Sequence, residues 1–258
     1  MTNSSDGKTR ILIGASSYAD ATAALNLLGA LKIMARFGGL FVEESDALDQ
    51  CQILSQRIVT SSGMLMIAPN PSQIRTVVEA DAKAFRKSLA RMADPLGALW
   101  TFERSVGDLV QLSLQASSGW DIIVLGYRNL HPGRGKIVLF EESRAEDRPL
   151  KIFADHLAQR YSAAQLVFSV GQGPAARRDS LSFETFQEAL AALARMNVLA
   201  VLVDLKRGPI RSKVELRQLL DAARCPVFAF GAAFSGSFVE HNTQIPPAPG
   251  AAREPHET

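Results

Sequence analysis

Four basic side chains, Lys206, Arg207, Arg211 and Lys213, crowd the approach to a segment that opens with Ser212-Lys-Val-Glu215. That tetrapeptide is a capping box, so the cationic groups fall at the start of a helix. There the first-turn N–H groups and the helix dipole favour negative charge, and the four could cradle an anion. The plainer reading is a solvated basic face. Ser16 and Ser17 follow the apolar run Ile11–Ile13, and Gly126 follows Ile122–Leu125. Hydroxyls and a bare glycine just past strand ends could line a pocket for a small ligand. An ordinary tight turn and helix cap use the same residue types. The carboxylate pairs Glu43-Glu44 and Glu141-Glu142 also sit at strand ends, where such neighbours more often face solvent.

Other chemistry is missing. His131 and His156 have no serine or cysteine nucleophile motif beside them, and no H-E-x-x-H occurs. His241 and His256 lack cysteine or carboxylate companions, and Gly171-Gln-Gly173-Pro is too short for a dinucleotide fingerprint. Cys51 and Cys225 stand far apart with no C-x-x-C spacing, which disfavours a disulfide framework and a structural zinc site. Cys225 precedes Pro226 at a strand entry and reads as a small packed residue. No catalytic residue, metal or obligatory cofactor is expected.

The elements that must carry these residues alternate. Ile11–Ile13, Leu40–Val42, Ala98–Phe102 and Ile122–Leu125 read as strands, followed by Ile137–Phe140, Leu166–Val170, Leu199–Leu205 and Val227–Phe230. Nearly continuous apolar runs of this length suit a parallel sheet covered on both faces. Between them, apolar residues recur with helical period. One stripe runs through Ala24, Leu27, Leu28, Leu31, Met34 and Ala35, and another through Ile74, Val77, Val78, Phe85, Leu89 and Met92 after Pro71-Ser72. Leu150–Tyr161, Phe183–Leu193 behind a cap at Ser182, and Leu216–Ala223 complete the set. The fold class expected is α/β, a doubly wound, mostly parallel sheet with helices on both faces.

Bulk composition agrees. In 258 residues, 47% are apolar and 21% charged, and 28 basic against 26 acidic side chains leave +2. That balance gives no reason to expect a nucleic-acid or membrane-surface binder. No run of roughly 18 apolar residues occurs, and Met1–Lys8 lacks the apolar stretch of a secretion signal. The expected location is the cytoplasm.

Several segments together resemble the universal stress protein family. Ile11-Leu-Ile-Gly-Ala-Ser-Ser-Tyr-Ala-Asp20 with Ala23-Ala-Leu25 is similar to that family's first strand and helix, and Leu40-Phe-Val-Glu43 to its second strand. Trp120-Asp-Ile-Ile-Val-Leu-Gly126 resembles the fourth strand and its glycine turn. The pattern restarts at Lys136-Ile-Val-Leu-Phe140 and closes with Ala223-Arg-Cys-Pro-Val-Phe-Ala-Phe230. The resemblance implies two tandem halves, 10–128 and 136–231, joined by a linker at 129–135; composition predicts a disordered N-terminus (1–9) and a disordered, proline-rich tail (232–258). Each half looks trimmed: there is no room for a fourth helix and fifth strand after Gly126, nor for a second helix and third strand between Gly171 and Ser182.

The resemblance also implies where a nucleotide would sit: an Asp after the first strand, and G-x-x-G-x9-G-[ST] after the fourth. Here Ser16 stands at the Asp position of the first half and Glu142 near that of the second. Gly126 survives, but Asn129 replaces the next glycine. In the second half Asp204 and Arg207 hold the first two glycine positions, and Lys213-Val214 replaces the closing Gly-Ser pair. A side chain at a glycine position blocks close approach of backbone to phosphate. The function expected is a non-enzymatic regulatory or scaffold role in stress response, with ATP or AMP binding and slow ATP hydrolysis as the alternative. The partners expected are other proteins and a second copy of the chain, joined through the closing strand Val227–Phe230.

Overall fold

The computed structural model describes residues 9–44, 57–59, 65–67, 71–127, 135–142, 148–171 and 179–231. The expected tails, most of the linker, His131, His241, His256 and Cys51 lie outside them. β1 (Thr9–Ala15) leads through α1 (Tyr18–Leu31) to β2 (Ala35–Glu43). A short antiparallel pair, β3 (Arg57–Val59) and β4 (Leu65–Ile67), precedes α2 (Pro71–Ala93). β5 (Trp100–Val106), α3 (Leu109–Gln115) and β6 (Ile122–Leu125) follow. Then come β7 (Lys136–Glu142), α4 (Arg148–Tyr161), β8 (Gln165–Val170), β9 (Ser180–Phe183), α5 (Phe186–Leu193), β10 (Val198–Asp204), α6 (Lys213–Ala223) and β11 (Val227–Phe230).

Nine strands form one sheet in the order β5-β2-β1-β6-β11-β10-β7-β8-β9. All neighbours run parallel except β6 and β11, which are antiparallel. The expected α/β class holds. The order has a near-symmetry: β5-β2-β1-β6 read from one end matches β9-β8-β7-β10 read from the other. β11 fills the place between them, paired with β10 on one side and β6 on the other.

That placement corrects the expected dimer contact. Val227–Phe230 is not an edge, because both sides of its backbone are hydrogen-bonded within the chain. β9 is a further correction: a short third strand does fit before α5, pairing with β8 from Val167–Ser180 to Val170–Phe183. Ser182 therefore lies in a strand, and the cap of α5 is Thr185, whose side chain accepts from Glu188 N. α1 also ends sooner than the apolar stripe suggests. Lys32 takes a left-handed conformation (φ 49°), Met34 is 62% exposed, and Ala35 begins β2.

Side chains alternate across the strands, so each face of the sheet carries its own apolar layer. Ile11, Ile13, Phe37, Phe41, Ile137, Leu139 and Phe228 pack under α1, α2 and α4. Leu12, Leu40, Val138, Phe140, Val201, Val203 and Val227 pack under α3, α5 and α6. Both layers run unbroken from first-half strands to second-half strands. Gly38 and Gly39 in β2 make room for this. A Cβ at Gly38 would lie 2.5 Å from the Trp120 ring, and one at Gly39 2.8 Å from Leu89 of α2. No helix among the described residues is long and apolar enough to cross a membrane.

Candidate functional site

In an open α/β sheet, ligands sit beyond the carboxyl ends of the strands where the order reverses. Between β1 and β6 there is a cleft of about 410 Å³ at that position. Ser16, Ser17 and Gly126 all line it, so three of the sequence candidates come together. Each has a local structural duty as well. Ser17 caps α1: its Oγ accepts from Asp20 N at 3.1 Å and donates to the Asp20 carboxylate at 2.5 Å. Gly126 N donates to Gly14 O at 2.7 Å, and a Cβ at Gly126 would lie 2.8 Å from Asp20 O.

The rest of the lining was not foreseen. Asp20, Glu44 and Asp221 bring carboxylates, Arg217 brings a guanidinium, and Tyr127 stands beside Gly126. Arg217 projects from α6, in the second half, to first-half residues. It donates to Glu44 Oε1 at 3.3 Å and Asp108 Oδ2 at 3.5 Å, with Asp221 Oδ2 at 3.9 Å. The expectation that Glu43 and Glu44 simply face water is corrected. Glu43 pairs with Arg104 across the β2–β5 edge, and Glu44 with Arg217. With Asp20, Glu44 and Asp221 lining it against the one guanidinium of Arg217, the cleft has an acidic balance that disfavours a polyphosphate.

The second-half candidates do not line this cleft. β7 and β10 are paired up to Phe140 and Val203, so Glu142 and Lys206 leave the sheet at the same end; the Glu142 side chain lies outside the described set. The Asp204 carboxylate, only 8% exposed, accepts Lys206 N at 2.6 Å and Arg207 N at 3.1 Å. The amides that would meet an anion at this turn are taken by the chain's own carboxylate. At the start of α6 the same thing happens again: Glu215 Oε2 accepts Arg211 N at 2.6 Å and Ser212 N at 3.1 Å. Ser212 Oγ in turn accepts Glu215 N, completing the expected capping box. Lys213 Nζ reaches the other way, to Gln111 of α3 at 3.4 Å.

Cys225 is fully buried, and burial pushes its thiol well above the usual range, as expected of a packed residue. His156 is exposed on α4. No group of three or more His, Cys, Asp or Glu among the described residues could hold a metal ion.

No sequence-family model matches the chain, and no curated protein matches it. Among solved structures, it is similar to a universal stress protein from Archaeoglobus fulgidus DSM 4304. That likeness has a TM-score of 0.45 and 12% identity over 85% of this chain and 95% of the other. It is similar to the cytoplasmic domain of a prokaryotic cation chloride cotransporter at TM-score 0.36 and 10% identity, over 88% and 96%. A protein of Pseudomonas aeruginosa UCBPP-PA14, provisionally assigned to the universal stress proteins, aligns at TM-score 0.41 and 10% identity over 86% and 93%. Similarities at this level assign neither a family nor a ligand.

Proposed function

We propose that the chain is a universal-stress-protein-like module of two tandem halves, 10–128 and 136–231, that works in the cytoplasm by binding partner proteins. On this reading it does not turn over a nucleotide. The observation that carries the reading is the self-occupation of the second-half turn. Asp204 and Glu215 accept the backbone N–H groups that an anion would need. The acidic lining of the β1/β6 cleft adds to it, since Asp20, Glu44 and Asp221 would repel phosphate oxygens. The stress-protein part of the reading is supported by the ordered segments from Ile11 to Phe230 and by a strand order that repeats from both ends of the sheet.

The rival is a nucleotide-binding stress protein that uses the Gly126 turn and the Lys206–Lys213 basic segment; Ser16, Ser17 and Gly126 do share a cleft. Thermal-shift and calorimetric titrations with ATP, ADP, AMP and cyclic nucleotides separate the two. The proposal expects no shift at concentrations on the order of millimolar, about −4 kcal/mol of binding free energy. A micromolar affinity that disappears in an Arg207→Glu protein of unchanged melting temperature would establish the rival instead.

A further inference from the structure

The sheet has two outer strands, and they are protected differently. β9 is four residues long, and so short a strand offers little edge to another chain. β5, at the other end, runs for seven residues in unbroken register with β2, from Phe37–Trp100 to Glu43–Val106. It holds no proline, lysine or bulge, devices that commonly blunt an edge. Among the described residues, nothing pairs with its outer side.

The inner bonds fix which groups face outward. Phe37 N donates to Leu99 O at 2.9 Å, and Gly107 N donates to Glu43 O at 2.9 Å. Along a strand each residue turns its N–H and C=O to the same side, and successive residues alternate. Leu99, Thr101, Glu103, Ser105 and Gly107 therefore face β2, while Trp100, Phe102, Arg104 and Val106 present both backbone groups to the outside. Side chains divide in the same rhythm. Trp100 and Phe102 are half-buried on the α2 side, where Phe102 meets Phe85 with ring centroids 5.4 Å apart and Arg104 pairs with Glu43. Thr101 and Glu103 are exposed on the other side. Leu99, 72% exposed, and Val106, 61% exposed, leave apolar surface open at the two ends of the strand.

An identical strand brought up antiparallel, about a two-fold axis normal to the sheet, sets residues of the same face opposite one another. Centring the pair on Glu103 puts that carboxylate against its own copy, and centring it on Arg104 does the same with the guanidinium. Like charges directly opposite are destabilising. Centring on Phe102 avoids both. Phe102 then faces Phe102, Trp100 faces Arg104 as π-face and cation, and Thr101 faces Glu103. The outward N–H and C=O groups of Trp100, Phe102 and Arg104 all gain partners in the same register.

We propose that β5 pairs antiparallel with β5 of a second copy of this chain, with Phe102 on the two-fold axis, so that two sheets join into one. β11, hydrogen-bonded on both sides, takes no part. The pairing is independent of what fills the β1/β6 cleft.

The light-scattering mass of the full chain should rise from one chain to two between micromolar and about 1 mM protein. Arg104→Pro removes an outward N–H and no bond to β2, and should leave a folded monomer throughout. Thr101→Glu, on the open face, sets a carboxylate against Glu103 at both symmetry-related positions and should weaken the dimer about tenfold. Thr101→Lys should tighten it by a similar factor, and adding Glu103→Lys to Thr101→Glu should restore it. These exposed substitutions keep the test open if Arg104→Pro melts early. In a Cys51→Ser background, oxidising a mixture of Thr101→Cys and Glu103→Cys proteins should give a disulfide-linked dimer, and neither protein alone should. A mass of one chain at every concentration overturns the proposal. So does a dimer indifferent to Thr101→Glu and Arg104→Pro, or one that Glu103→Cys alone cross-links, which would centre the pair on Glu103.

Discussion

The Asp204 carboxylate does in this chain what a bound anion does at many strand-to-helix turns: it gathers the backbone N–H groups of Lys206 and Arg207. It is nearly buried, and Gly231 lies close by, where a Cβ would come within 3.0 Å of Asp204 Oδ1. Removing the carboxylate leaves two donors without their acceptor in a site with little water. Asp204→Ala should therefore cost about 1–3 kcal/mol, and Asp204→Asn, which keeps an acceptor oxygen, less. Urea midpoints of the three proteins check this; an Ala variant as stable as wild type would mean that water replaces the carboxylate freely. Single residues also mark how far the sequence could be read. Ser16, Ser17 and Gly126 were legible because each adjoins the strand that fixes its place. Arg217 was not: its partner Glu44 lies 173 positions away, and only the packing of α6 against first-half elements brings them together. At the basic run the hidden part is local: that Asp204 and Glu215 accept its backbone amides depends on turn geometry, which residue types alone do not fix.

At the scale of elements, strands and helices were legible wherever local patterning and burial agree. β1 and β10, buried along nearly their whole length, could hardly be read otherwise. β9 escaped because Ser180-Leu-Ser-Phe183 is a short edge strand half open to solvent, with little apolar signal. α3 escaped because seven residues behind the Asp108 cap make too short a stripe. Helix ends show a shared detail that no pattern revealed. Lys32, Ser162 and Arg224, just past the C-termini of α1, α4 and α6, all have φ near 49° without being glycine. The left-handed conformation costs an L-residue on the order of 1 kcal/mol relative to glycine. Lys32→Gly and Arg224→Gly should each stabilise the protein, by an amount reduced to roughly 0.5 kcal/mol by the extra freedom glycine gives the unfolded chain. The two sites are far apart in the fold and should add. Melting temperatures of the single and double variants test this, and a loss of stability in both singles would show that the lysine and arginine side chains contribute more than the backbone strain costs.

At the scale of the molecule, β11 is the element on which both halves depend. It completes the second half through β10 and closes the open side of the first through β6. Phe228 within it is fully buried and packs against Phe153 of α4, with ring centroids 5.3 Å apart and the rings tilted by 49°. Both apolar layers cross the β6–β11 seam, and Arg217 and Lys213 tie α6 to Glu44, Asp108 and Gln111 on the far side. Two domains joined only by a linker would unfold separately; halves that share a strand and two cores should unfold as one. The chain supplies its own reporters. Both tryptophans, Trp100 and Trp120, lie in the first half, and the buried thiol of Cys225 lies in the second. In a Cys51→Ser background, tryptophan fluorescence and Cys225 labelling should follow the same urea curve, with one midpoint and one slope. Phe228→Ala, which opens a cavity at the seam, should lower stability by about 3–5 kcal/mol and move both curves together. If Cys225 became reactive at urea concentrations where the tryptophan signal is still native, the halves would be independent, and the single sheet would not be the unit that folds.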